Sequence, residues 1–150
     1  MRYQALFFSV MIAAATAVPA QQIQPGQWET VSTVKSVDMP GAPPQIAKMM
    51  NGKTTRITHC VTAEDAAKRP EQLVKQDASC KMVNFSMRGG TLVSEMRCTR
   101  QGQTMTIKTT GRFTPTAYTA MSSAVASGGR MNMRIESSVA ARRTGPCTTK

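Results

Sequence analysis

Nineteen residues in the middle of the chain, CKMVNFSMRGGTLVSEMRC from Cys80 to Cys98, constrain the fold more than any other stretch. Cysteines stand at both ends, and Gly89-Gly90 sits between two runs rich in strand-forming residues, a signal for a tight hairpin. Folding the stretch about Gly89 makes paired residue numbers sum to 178, as 80 and 98 do. Cys80 then faces Cys98, Met82 faces Met96, Asn84 faces Ser94 and Ser86 faces Leu92. Directly opposed residues of an antiparallel pair have Cβ atoms about 4.5–5.5 Å apart. A disulfide needs about 3.5–4.5 Å, which the closer, non-hydrogen-bonded kind of pair supplies.

The following hairpin tests this register. A two-residue turn at Gln101-Gly102 makes the numbers sum to 203, so Met96 faces Ile107, Cys98 faces Met105 and Glu95 faces Lys108. The first two pairs extend one apolar face, and the third places opposite charges on the other. Against the scheme, Lys81 falls opposite Arg97, and like charges there are mildly unfavourable. A bulge at the glycine pair would shift the first register by one.

The amino terminus sets the compartment. MRYQALFFSVMIAAATAVPA has an early Arg2, an apolar run from Ala5 to Val18 and small residues before Gln21. That is the layout of a secretory signal peptide cleaved near Ala20, and the run is short of the roughly 20 residues that span a bilayer. Residues 1–20 are therefore expected to be a cleaved signal helix and residues 21–150 a single domain in the periplasm, with no transmembrane span in the mature chain. An even number of cysteines in an exported chain favours disulfides. With Cys80 joined to Cys98, Cys60 is left for Cys147, which ties the carboxyl end back to an early strand. The spacings of 20, 18 and 49 residues fit neither a C-x₂₋₄-C zinc frame nor a redox C-x-x-C.

Glycine and proline punctuate the rest. Gly26–Val37 and Thr54–Cys60 read as strands, with a helical turn at Gln45–Met50 between them. Thr62, with Asp65 three residues on, starts a short helix that Pro70 interrupts. Then come five strands, Cys80–Met87, Thr91–Thr99, Gln103–Phe113, Thr116–Val125 and Arg130–Ala141, separated by turn residues. The expected fold is mainly β, an antiparallel up-and-down meander forming a curved sheet or partly closed barrel, with one or two short helices.

Little in the residues points to a reaction. His59 is the only histidine, next to Cys60 at a strand end; alternation turns it to the face opposite Cys60, where a surface role is expected. Glu64 and Asp65 suit a helix start, and no G-x-S-x-G, S-x-x-K or phosphate-binding glycine loop appears. The chain is accordingly expected to be no enzyme and to need no cofactor. Twelve methionines are present, ten after removal of Met1 and Met11. Thioethers bind Cu(I), and Met131, Met133 and His59 are the residues that would do so, although alternating methionines more often fill a β core. The mature chain carries 18 basic residues against 8 acidic ones, a net charge of +10. The basic residues are scattered, with no run longer than Arg142-Arg143, a dispersion that favours solubility over an anionic partner as their explanation. Few aromatics and no recognised motif argue against nucleic acid.

Six ordered motifs carry a resemblance: PGQWE (Pro25–Glu29), DMPGAPPQ (Asp38–Gln45), CVTAEDA (Cys60–Ala66), the Cys80 and Cys98 pair, MNMRIES, and ARRTGPC (Ala141–Cys147). Together they make the chain resemble the exported bacterial family known as domain of unknown function 3617. The resemblance implies a periplasmic β-rich domain with cysteines at these four places, and it brings no catalytic residue, cofactor or substrate. Thr144 stands where the family more often carries Leu. Three roles remain open: a binding module for a small apolar or anionic ligand or an anionic envelope surface, a soft-metal binder, or a structural or envelope-stress interaction protein.

Overall fold

Seven antiparallel strands arise where alternation and turn residues place them: β1 (Gly26–Asp38), β2 (Thr54–Val61), β3 (Cys80–Arg88), β4 (Thr91–Arg100), β5 (Gln103–Thr114), β6 (Ala117–Ser127) and β7 (Met133–Gly145). The computed structural model describes residues 23–75, 77–100, 102–127 and 132–148. The expected signal peptide, residues 1–20, lies outside the described residues, as does Met131. The strands form one open sheet in the order β2-β1-β7-β6-β5-β4-β3. Strands β3 to β7 are the expected meander. The β1–β2 hairpin is added to it through β1, which pairs with β7.

This order obliges the chain to cross from one edge of the sheet to the other between β2 and β3. Two short elements make the crossing: α2 (Ala63–Lys68) and a 3₁₀ turn (Pro70–Leu73). Thr62 caps α2 as its sequence promised. Its hydroxyl accepts from the Asp65 amide at 3.0 Å, and the Asp65 carboxylate accepts from the Thr62 amide in return. Pro70 ends α2 and opens the tighter turn, whose Leu73 is fully buried. The other short helix, α1 (Pro44–Met50), buries no residue; it bridges β1 and β2 with Pro44 in its first turn.

Because the crossover lies over one face of the sheet, that face is the inner one. Its core contains Trp28, Leu73, Leu92, Phe113, Tyr118 and Ala141. Trp28 is fully buried and its indole N–H donates to the Gln24 carbonyl at 3.1 Å. A buried indole needs such a partner, since an unmet donor costs about 1–3 kcal/mol. Gly111 sits on β5 directly opposite Ala120 of β6. A Cβ there would overlap the Thr119 carbonyl and Ala120, so only glycine permits the approach.

The hairpin register is correct at its open end and differs by one at its turn. Cys80 faces Cys98 and Met82 faces Met96, but Asn84 faces Glu95, Phe85 faces Ser94 and Ser86 faces Val93. Gly89 and Gly90 both have positive φ, 57° and 73°, so they are the two central residues of a tight turn and Arg88 must face Thr91. That turn requires a sum of 179, while the cysteine pair requires 178. A bulge between Met82 and Asn84, not at the glycines, absorbs the difference. The hydrophobic pattern explains its position. Cys80 and Met82 turn inward before the bulge, and Phe85 and Met87 turn inward after it, while Val83 is left outside and 53% exposed. The second register needs no change: Met96 faces Ile107, Cys98 faces Met105 and Glu95 faces Lys108.

A candidate ligand-binding groove

Beside that core, the inner face forms a groove of about 520 Å³. Small-molecule sites usually measure about 300–1,000 Å³. The register fixes what lines it, row by row. Nearest the core, Tyr118 lies beside Ala141, which in turn pairs with Thr30. Next along the strands, Thr109 pairs with Ser122, and the Thr109 hydroxyl donates to the Ser122 hydroxyl at 3.1 Å. Then follow Met96 with Ile107, and Cys98 with Met105. Val74, just past the 3₁₀ turn, contributes from the crossover.

At the far mouth stand Asp77, Arg100 and Gln103. The Arg100 guanidinium donates to the Asp77 carboxylate at 2.6 Å and to the Ser79 hydroxyl at 3.2 Å. Hydrogen bonds from Ser79 hold the Asp77 carboxyl below its ordinary range, and Arg100 adds to the effect. The groove thus runs from hydroxyls, through thioethers and aliphatic carbons, to one compensated ion pair. Burial raises the Tyr118 phenol above its ordinary value. A phenol held neutral in that setting can donate to or accept from an uncharged ligand group.

The cysteines occupy the expected pairs. Cys80 and Cys98 have Cα atoms 4.0 Å apart on the inner face, and Cys60 and Cys147 are 5.4 Å apart at the β2 edge. The first pair forms part of the groove wall. The tail that carries Cys147 is further held by the Thr144 hydroxyl, which donates to the Gln27 carbonyl at 3.2 Å.

His59 requires a correction. It does face away from Cys60, but that is the inner face, because β1 presents Trp28 there and His59 pairs with Trp28. It is half-buried, not a surface residue, and burial lowers its pKa below the ordinary 6.5. Nor does the fold bring His59 and Met133, two of the metal candidates, together. Trp28 pairs with Arg143, ten residues along β7 from Met133, which places His59 and Met133 about 30 Å apart at the usual rise per residue. Met131 is outside the described residues. Among the described residues, no cluster of three or more His, Cys, Asp or Glu side chains could hold a metal ion, and no helix is long and apolar enough to cross a membrane.

Sequence reasoning found the methionines but overlooked the hydroxyls that share their face. Thr109 lies two residues from Ile107, so the same alternation reached it. Thr and Ser are so common in this chain that nothing marked these as inward until the β5–β6 register was known. Comparison with known proteins gives no significant match to a curated protein or to a solved structure. A family model described as protein of unknown function (DUF3617) matches residues 23–147, from three residues before β1 to the last cysteine. Since that match covers all seven strands and all four cysteines, the chain belongs to the DUF3617 family.

Proposed function

We propose that this protein is an exported, non-enzymatic binding domain whose inner groove holds a small, largely apolar molecule bearing an uncharged hydrogen-bonding group. The observation that carries the reading is the graded lining: Thr109, Ser122 and Tyr118 at one end, Met96, Ile107 and Met105 beyond them. Methionine suits such a role, since its flexible, polarisable side chain adapts to ligands of differing shape. Transferring an apolar body from water to this wall is favourable by about 25 cal/mol per Å² of area removed. The hydroxyl end supplies orientation, because a ligand lacking a partner for it would leave polar groups dry and unpaired. The signal-like amino terminus and the two cysteine pairs support a periplasmic setting.

The test is native mass spectrometry of protein purified from periplasm, followed by displacement of an environment-sensitive acyl probe. A co-purifying small molecule and saturable probe binding are expected. Ile107→Asp should abolish probe binding by placing a charge in the apolar stretch. An empty protein whose Ile107→Asp variant takes up the probe as well as the parent would overturn the reading.

A further inference from the structure

The outer face of the sheet divides by charge in a way the linear sequence conceals. On β1, β2 and β7 three arginines are neutralised: Glu29 holds Arg56 at 2.7 Å and Arg142 at 3.2 Å, and Glu136 lies 3.8 Å from Arg134, while Lys35 on β1 has no ion pair among the described residues. On β3, β4 and β5 four cations of the outer face are not neutralised. Lys81, Arg88, Arg97 and Arg112 are all exposed, and none has an ion pair among the described residues. The acid there is Glu95, already 3.7 Å from Lys108. Lys81 stands directly opposite Arg97, a repulsive pair, and the neighbouring Cys80–Cys98 link fixes that register so the two cannot slip apart. Arg88 and Arg112 flank Thr91 in another row.

We infer that this three-strand outer face docks on an anionic phospholipid bilayer. The two rows are six residues apart along β4, about 20 Å at the rise of a strand, which is too far for one phosphate group and suits an array of headgroups. Val83, pushed outward by the bulge and 53% exposed, gives the same face an apolar point beside Lys81. A negatively charged surface also relieves the repulsion between Lys81 and Arg97, so the pair favours the bound state. The inference is independent of what the groove holds, since these side chains lie on the opposite face of the sheet.

The test is co-sedimentation of the mature protein with vesicles of phosphatidylglycerol and phosphatidylcholine against vesicles of phosphatidylcholine alone. Binding is expected only to the anionic vesicles, falling steeply as salt rises. Each cation near an anionic surface is worth roughly fivefold in affinity. The variant Lys81→Gln, Arg88→Gln, Arg97→Gln, Arg112→Gln should therefore lose binding by two orders of magnitude or more. A control with the same net charge, Lys35→Gln, Lys48→Gln, Lys53→Gln, Lys75→Gln, should lose far less. Equal losses in the two variants would show an effect of total charge alone and overturn the assignment, as would absence of parent binding at about 0.1 M salt. Because all four patch residues are exposed, the variant should keep its unfolding midpoint and its acyl-probe binding, so failure of the groove reading and of this one are separable.

Discussion

Cys80 stands directly opposite Cys98 with 4.0 Å between their Cα atoms, one register away from what the Gly89-Gly90 turn at the other end of the same hairpin demands. The bulge at Val83 reconciles the two. Deleting Val83 should accordingly be tolerated. The shortened strand would alternate without interruption, with Cys80, Met82, Phe85 and Met87 inward, and the cysteines would still meet. Peptide mapping under non-reducing conditions should still give Cys80–Cys98, and the change in stability should be within about 1 kcal/mol. Loss of the disulfide on deletion would disprove this account of the bulge.

The two cysteine links should differ in worth. They close spans of 18 and 87 residues. On the chain-entropy model the shorter contributes about 3 kcal/mol and the longer between about 4 and 5. Urea denaturation of Cys80→Ser, Cys98→Ser against Cys60→Ser, Cys147→Ser should show the second double variant to be the less stable.

Gly111→Ala should destabilise the fold although it adds only one methyl group. The new Cβ would meet backbone of β6, which cannot rotate away as a side chain could. A cost of about 1–3 kcal/mol is expected, the usual range for overpacking. A thermal midpoint unchanged by the substitution would show that the strands can separate there freely.

Stability should fall with pH in two stages. Burial lowers the folded-state pKa of His59 below its unfolded value, so the unfolded chain binds the proton first. Stability is thus fully present above about pH 6.5 and declines as pH falls from there through the folded value. His59→Gln should flatten that stage. The second stage belongs to Glu29, Asp65 and Asp77, which are lowered chiefly by their hydrogen bonds with Arg56, Thr62 and Ser79 respectively. Their contribution is present above the ordinary carboxylate range and is lost as pH falls through the depressed values. Denaturation midpoints measured between pH 3 and 8 should show the first stage only in the parent.

Local signals in this chain are strong because each depends on neighbours in sequence. The sequence by itself determined the turns, the strand identities, the Thr62–Asp65 cap and both cysteine pairs; it even placed Glu95 opposite Lys108, since a two-residue turn leaves only one register. Only the tertiary structure decided what depends on distant pairing. The return of β7 to β1 made the His59 face the inner one, which alternation alone could not tell from the outer. Packing of Phe85 and Met87 moved the bulge away from the glycines, because a register slip is cheapest where it turns large apolar side chains inward. The same pairing gathered Thr109, Ser122 and Tyr118 into one groove and left Lys81, Arg88, Arg97 and Arg112 on one face without ion pairs among the described residues. A scattered charge in the sequence became a predominantly cationic face, since strand neighbours are chosen by the sheet and not by the chain.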